Sequence, residues 1–119
     1  LVRKAALEQF KNKKLTALFT TDVAARGLDI HHLPYVVNAE VPLTEESYLH
    51  RSGRTGRMGK DGMVITFVQE NTIRDLKRLT RNMTVEIEEI FLHSGQLVTA
   101  LPEKEELAIE KKQHKKTNC

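Results

Sequence analysis

The sequence predicts an α/β fold in which helices cover both faces of a mostly parallel sheet. Short apolar and β-branched runs occur at 15–21, 35–38 and 63–68 without polar alternation, as is typical of strands covered on both faces. Segments with apolar residues at helical spacing alternate with these runs along the chain. The length of 119 residues fits one domain with one hydrophobic core.

The predicted helices lie before, between and after these strands. The first spans Leu1 to Lys14, where the apolar side chains gather on one side. A second runs from Glu45 through Arg51, because Thr44 is a good N-cap and acids occupy the first turn. A third follows the last strand, and alternation of apolar and acidic residues at 85–88 predicts a half-exposed edge strand after it.

The ends of the chain and its composition place it as part of a longer protein. Residue 1 is not Met and no signal peptide follows it, so we expect the chain to begin inside that protein. Residues 1–92 form the predicted domain, and 93–119 form a charged, flexible extension. A single cysteine, Cys119, favours the cytoplasm, and no apolar run is long enough for a membrane span. No obligate oligomer is expected.

Polar groups for phosphates and sugars follow the first predicted strand. The segment from Thr21 to Asp29 contains a hydroxyl, two acids, a guanidinium and a glycine. Since ligands bind at the carboxyl ends of parallel strands, this segment is a candidate binding loop. The alternative is that Asp22 and Asp29 cap turns and that Arg26 is a solvated charge.

A second segment, from His50 to Lys60, places four cations and three glycines in eleven residues without an acid. Arginine presents a planar fork of donors that matches a phosphate, so Arg54 and Arg57, three residues apart, are candidates to grip one phosphate group. The alternative is a basic loop that touches RNA phosphates without a catalytic role. His31 and His32 are predicted to be loop histidines rather than metal ligands, because no further ligand has metal-binding spacing.

Both segments resemble motifs of the DEAD-box RNA helicases. The stretch from Thr21 to Asp29 resembles motif V, and the stretch from His50 to Arg57 resembles motif VI. Arg3 resembles the end of the family's Gln-x-x-Arg element. The resemblance implies the second, C-terminal RecA-like domain of an ATP-dependent RNA helicase, three-layered and lacking its first strands.

The resemblance also implies roles for individual residues. Arg54 and Arg57 would contact the γ-phosphate as arginine fingers, and Asp29 would contact the ATP ribose. RNA backbone contacts would come from Arg3 and from the motif V residues Thr21, Arg26 and Gly27. The coupling between the two sites would fall to Asp22, His50 and Arg51.

The chain contains neither a Gly-x-x-x-x-Gly-Lys-Ser/Thr loop nor an Asp-Glu-Ala-Asp run. We therefore expect that a separate N-terminal RecA-like domain holds Mg²⁺ and most of the ATP, and that this chain alone does not hydrolyse ATP. The expected partners are that domain and RNA. Two alternatives are the second motor domain of a superfamily 2 DNA helicase and a non-enzymatic RNA-binding remnant.

Overall fold

The computed structural model of the protein describes residues 2–56 and 61–102. Two compact units divide the chain, Leu1–Met83 and Thr84–Cys119. Within the described residues, no helix has the length and apolar character needed to cross a membrane. The predicted domain boundary after residue 92 stays a prediction. The elements are, in order, α1 (Val2–Lys11), α2 (Asp22–Arg26), β1 (Tyr35–Asn38), α3 (Glu45–Ser52), β2 (Met63–Thr66), α4 (Ile73–Thr80), β3 (Phe91–His93) and β4 (Gln96–Val98).

The first unit contains a parallel pair of strands. β1 and β2 are in register from Tyr35 opposite Met63 to Asn38 opposite Thr66. α3 lies between the two strands in sequence, so the pair forms a β–α–β unit. This arrangement confirms the predicted α/β fold with parallel strands, and it brings the chain segments that follow β1 and β2 to one edge of the sheet.

The helix predicted after Thr44 is confirmed. The Thr44 hydroxyl accepts a hydrogen bond from the Ser47 amide at 3.1 Å, and Glu45 and Glu46 lie in the first turn. Tyr48 is buried against the rest of the unit, and burial raises the pKa of its phenol. The helix therefore begins at a fixed point and delivers its last turn to the sheet edge.

The helix predicted after β2 is also confirmed as α4. Leu76 and Thr80 are buried on one side, and the Thr80 hydroxyl donates to the Leu76 carbonyl at 2.8 Å. The helical spacing of the apolar residues, rather than their number, identified this element.

Two predicted strands are wrong. Residues 15–21 pair with neither described sheet, and Phe19 is 96% exposed. A strand needs the hydrogen bonds of a neighbour, and the described residues supply none to this segment. Residues 85–88 are likewise unpaired.

In the second unit, the strands lie further along the sequence than the predicted strand at 85–88. They form the antiparallel hairpin of β3 and β4. Ser94 and Gly95 connect these strands, with φ of 48° and 76°. Positive φ at both central residues matches the twist of a two-residue hairpin, so the turn fixes where the strands pair. This turn was not predicted from the sequence.

The sheet is also more exposed than the sequence predicted. Tyr35 and Val37 of β1 are 60% and 54% exposed, so the prediction of full burial is wrong for them. The last residue of β1, Asn38, is by contrast 2% exposed. Burial is concentrated at the carboxyl end of the strand, where the candidate site lies.

Candidate functional site

A small cleft lies between α2 and the last turn of α3. α2 follows the unpaired segment 15–21. Thr21 is its N-cap, and the Thr21 hydroxyl accepts a hydrogen bond from the Ala24 amide at 3.3 Å. The sequence predicted a loop here, and the structure shows one and a half turns of helix. The cleft is lined by Asp22, Ala25, Arg26, Ser47, His50, Arg51 and Arg54. Three arginines and one aspartate give the cleft an excess of positive charge.

A bidentate ion pair joins the two sides of this cleft. Arg51 Nε donates to Asp22 Oδ1 at 2.6 Å, and Arg51 Nη2 donates to Asp22 Oδ2 at 2.7 Å. Parallel bonds of this kind give both energy and a fixed orientation. The residues lie 29 positions apart in sequence, so the pair fixes α2 against α3.

The same arginine extends the network into the sheet. Arg51 Nη1 donates to Asn38 Oδ1 at 3.2 Å and approaches the Glu40 carbonyl oxygen at 3.4 Å. Asn38 Nδ2 donates in turn to the Thr66 hydroxyl at 3.1 Å. One chain of hydrogen bonds therefore runs from α2 through α3 to the ends of both parallel strands.

The ion pair shifts the pKa values of both partners. The hydrogen bond from Arg51 lowers the pKa of the Asp22 carboxyl, and burial opposes this effect. The hydrogen bond to Asp22 raises the pKa of Arg51. Both shifts favour the charged pair at neutral pH.

Arg54 makes a different set of contacts. Its Nη1 donates to the Leu28 carbonyl at 2.9 Å and lies 3.5 Å from the Ile30 carbonyl. These two carbonyls flank Asp29 on either side, so the guanidinium is held beside that residue's backbone. The structure thereby brings the segments that resemble motifs V and VI together at one edge of the sheet.

Asp29 projects into solvent next to this contact. Its side chain is 87% exposed, and its Oδ1 lies 3.1 Å from His31 Nε2. Within residues 2–56 and 61–102, no cluster of three or more metal-ligating side chains is found. His31 instead contacts a carboxylate and the ring of His32, with centroids 6.4 Å apart.

Two glycines near the site differ in whether a side chain would fit at their position. Gly27 ends α2 with φ −88°, and an added Cβ would meet only the Ala24 carbonyl oxygen, at 4.0 Å. A Cβ on Gly62 would collide with Thr55 Oγ1 and with the backbone of Gly56. Packing therefore requires a glycine at position 62, whereas nothing in the described part of the chain requires one at position 27.

Some predicted site residues are not brought into the cleft. Arg3 is exposed on α1, and Arg57 lies outside the described residues. Thr21 caps α2 at the edge of the site, and Asp29 stands beside the cleft rather than in its lining. Among the predicted residues, Asp22, Arg26, His50, Arg51 and Arg54 share one cleft.

Sequence reasoning missed three contributors. Asn38 is a buried polar residue at the end of an apolar strand, and that position was a usable signal. Ser47 lines the cleft from α3, and nothing in the sequence distinguishes it from a solvated helix residue. Thr55, buried at 7% exposure, donates to the Leu33 carbonyl and anchors the segment after Arg54.

Comparison with known proteins agrees with this geometry. Residues 2–59 match the family model described as the helicase conserved C-terminal domain. The chain is 42% identical over 97 residues to the probable ATP-dependent RNA helicase YfmL of Bacillus subtilis, covering 82% of this chain and 26% of that protein. It is 57% identical over 67 residues to the ATP-dependent RNA helicase CshA of Listeria monocytogenes, covering 56% of this chain and 13% of that protein.

A solved structure gives the same result. A DEAD box protein from the hyperthermophile Methanococcus jannaschii matches with a TM-score of 0.63 and 39% identity, covering 71% of this chain and 23% of that one. The chain spans about a quarter or less of the length of these relatives.

The fold and the paired motif segments define a helicase C-terminal domain with the RecA-like α/β architecture. More particularly, the chain belongs to the DEAD-box helicase family. The match to the family model ends at residue 59, beyond the segment that supplies the cleft's arginines.

Proposed function

We propose that this chain is the second motor domain of an ATP-dependent RNA helicase and that it forms half of a composite site for ATP and RNA. The observation that carries the proposal is the placement of Arg54 between the two carbonyls that flank Asp29. A phosphate-binding guanidinium and a ribose-binding carboxylate thus share one edge of the sheet, where parallel α/β folds bind ligands. The names of the relatives, which are ATP-dependent RNA helicases, support the same function.

In this proposal Arg54 and Arg57 contact the γ-phosphate of ATP, and Asp29 accepts hydrogen bonds from the ribose. The cleft fits a polyanion, because three arginines face one aspartate in its lining. Mg²⁺, held with most of the ATP by the N-terminal RecA-like domain, neutralises charge on the phosphates when bound. This chain's contribution is to place positive charge where the transferring phosphoryl group becomes more negative.

The RNA contacts in this proposal come from Thr21, Arg26, Gly27 and Arg3. Gly27 supports the assignment, because among the residues that the structure describes no neighbour lies closer than 4.0 Å to an added Cβ. A glycine that is not required by such packing leaves room for a sugar–phosphate backbone to approach the peptide. Such contacts hold the RNA without reading its sequence.

The coupling role belongs to Asp22, His50 and Arg51. The bidentate pair of Asp22 and Arg51 ties the start of α2, which follows the proposed RNA contact Thr21, to the last turn of α3, which precedes Arg54. A shift of either helix therefore moves the other. Closure of the two motor domains on ATP and RNA would bend one strand and open a short duplex, and the isolated chain would lack ATPase activity.

The boundaries and location of the domain complete the proposal. Residues 1–92 would form the partial motor domain and 93–119 a charged extension, in a cytoplasmic protein without an obligate oligomer. RNA and the N-terminal RecA-like domain would be its partners.

The test is the RNA-stimulated ATPase activity of the intact protein with Arg57→Ala. Loss of a finger of this kind is expected to slow hydrolysis by about 10³-fold or more, because fingers contribute about 10³ to 10⁵ in rate. Activity within about threefold of wild type would remove the finger assignment. RNA binding with an ATP analogue serves as the control and should weaken much less.

A further inference from the structure

We propose that His31 is a positioning residue that orients Asp29 toward the hydroxyls of the ATP ribose. The inference rests on the proposed function, in which Asp29 binds that ribose. His31 lies in the loop after the segment that resembles motif V and would become part of the nucleotide site. Its contribution can be measured as discrimination between ribose and deoxyribose.

Within residues 2–56 and 61–102, His31 makes one polar contact. Its Nε2 lies 3.1 Å from Asp29 Oδ1, within hydrogen-bond distance. Its other ring nitrogen, Nδ1, is buried without a hydrogen-bond partner in the described part of the chain. In the neutral imidazole the proton therefore lies on Nε2, because only that nitrogen faces an acceptor.

The two side chains differ in how firmly they are held. The His31 side chain is 32% exposed, whereas that of Asp29 is 87% exposed. A carboxylate so open to solvent would rotate among several rotamers, and binding a ligand would require one of them to be selected. The contact of Oδ1 with Nε2 of the less exposed imidazole, at 3.1 Å, would select that rotamer in advance. It uses Oδ1 and leaves Oδ2 to accept from a hydroxyl.

The inference predicts a defect confined to sugar recognition. In the intact protein, His31→Leu removes the donor and should raise KM for ATP about three- to tenfold. Of 2′-deoxy-ATP and 3′-deoxy-ATP, one lacks the hydroxyl that Asp29 contacts, and the KM for that analogue should change much less than the KM for ATP. The variant should therefore discriminate less between ATP and that analogue. The kcat at saturating ATP and RNA should stay within about twofold, because the fingers are untouched.

Two further variants separate positioning from packing. His31→Gln places an amide N–H near the position of Nε2 and should restore most of the discrimination. His32→Asn is the matched control, because His32 neighbours His31, is exposed and has φ 62°, a conformation that Asn tolerates. It should leave discrimination unchanged.

Asp29→Ala distinguishes failure of this inference from failure of the proposed function. If Asp29→Ala abolishes discrimination while His31→Leu leaves it intact, the role of His31 is overturned and the ribose contact stands. If Asp29→Ala itself retains discrimination, the ribose assignment is overturned, and the inference falls with it.

An independent observation concerns the outer face of α4. From this helix and the residue after it we infer a second binding surface for the RNA phosphate backbone, the α4 stripe, consisting of Arg74, Lys77, Arg78 and Arg81. All four side chains are exposed. The other three follow Arg74 by three, four and seven residues, so the four lie along one side of the helix over about 10 Å. The opposite side is buried through Leu76 and Thr80.

The chemistry of the α4 stripe favours a polyanion over a protein partner. No exposed apolar side chain occurs on α4, whereas protein interfaces depend on buried apolar and aromatic anchors. Among the described residues, Asp75 is the one acid in the shallow groove that these cations line, and it pairs with Arg78. Three cations thus remain for phosphates, and three of the four members of the α4 stripe are arginines with phosphate-matching forks.

Salt dependence tests the α4 stripe in the intact protein. With the triple variant Arg74→Gln, Lys77→Gln, Arg81→Gln, the slope of log affinity for single-stranded RNA against log salt should become shallower by up to about 2, since each phosphate contact contributes about 0.7. The charge-preserving pair Arg74→Lys, Arg81→Lys should keep the slope. Asp75→Asn should tighten binding.

An unchanged slope in the triple variant overturns the RNA assignment, whatever else the surface binds. An equal loss of slope in the charge-preserving pair would also overturn it, because the effect would then come from shape or folding rather than charge.

Discussion

Arg51 and Arg54 lie three residues apart, yet the structure uses their guanidiniums in opposite ways. All three nitrogens of Arg51 donate to partners on other segments, and its side chain is 20% exposed. Within the described residues, the hydrogen bonds of Arg54 leave from Nη1 alone and go to backbone carbonyls. An arginine whose three nitrogens all donate within the chain stabilises the fold, whereas an arginine that donates from one nitrogen keeps N–H groups with which it can bind a ligand.

The arginines of one short segment therefore need not share one role. Asp22 lies on α2 and Arg51 lies on α3, so replacing either residue would disturb the packing of both helices. Arg54 stabilises little beyond the loop around Asp29. Arg51 therefore holds α2 and α3 together, whereas the proposed function assigns Arg54 to the nucleotide.

The largest expected effect separates the two arginines by kinetics. In the intact protein, Arg54→Ala should lower RNA-stimulated ATPase by about 10³-fold or more. Arg51→Ala should lower it by about 10²-fold, because misplacing the catalytic segment by about 1 Å costs that much. Steady-state ATPase assays at saturating RNA measure both. Equal losses would erase the distinction between the two arginines.

The next effect separates them by stability. Arg51→Ala should destabilise the domain by about 1.5–3 kcal/mol, the range for hydrogen bonds to charged groups. Arg54→Ala should cost about 1 kcal/mol or less. Urea unfolding measures both, and a double-mutant cycle with Asp22→Ala should give a coupling energy of about 1 kcal/mol or more with Arg51. A coupling near zero would mean that the ion pair does not hold the helices together.

A smaller effect comes from the two glycines beside these arginines. Gly62→Ala should destabilise the domain by about 1–3 kcal/mol, because the new methyl group collides with Thr55 and Gly56. Gly27→Ala should be neutral or stabilising by about 0.4–1 kcal/mol, since its φ suits alanine and nothing is crowded. Thermal unfolding checks the pair. RNA affinity should show the reverse order, with Gly27→Ala weaker than Gly62→Ala at a temperature where both are folded.

The smallest effect is a pH dependence of the Arg51 network. The pKa of Asp22 is lowered from its ordinary value of 3.8, so the pair contributes stability above that pH, and the contribution is lost as pH falls through the lower, folded-state pKa. Wild type should be more stable than Asp22→Asn at pH 7, and the difference should shrink below about pH 3.8. Melting temperatures between pH 7 and pH 2 measure it. A constant difference across that range would contradict the ion pair.

The sequence predicted which residues meet in the cleft better than it predicted the strands. Asp22, Arg26, His50, Arg51 and Arg54 were all selected from the sequence, and all line the same cleft, whereas their roles stay predictions. Asn38 shows the limit of that reasoning, since its importance depends on Arg51 reaching it from a helix 13 residues away. Its position at the end of an apolar strand was a signal that Asn38 has a role, but that position did not identify Arg51 as its partner.

Strands could not be predicted as well, for a physical reason. Residues 15–21 and 35–38 have similar apolar character, but only 35–38 find a parallel partner in the described structure. A helix satisfies its backbone internally and is readable from local spacing, as α3 and α4 show, whereas a strand depends on a distant segment. Ser94 and Gly95, which adopt positive φ in the hairpin turn, were a local signal for the hairpin that was not used in the prediction.

The most direct measurement is a structure of the intact protein bound to RNA and a non-hydrolysable ATP analogue. The proposed function predicts that the Arg54 guanidinium lies about 3 Å from a γ-phosphate oxygen, within hydrogen-bond range, while Arg51 stays paired with Asp22. An Arg54 still bonded only to the Leu28 and Ile30 carbonyls, with the γ-phosphate out of its reach, would contradict it.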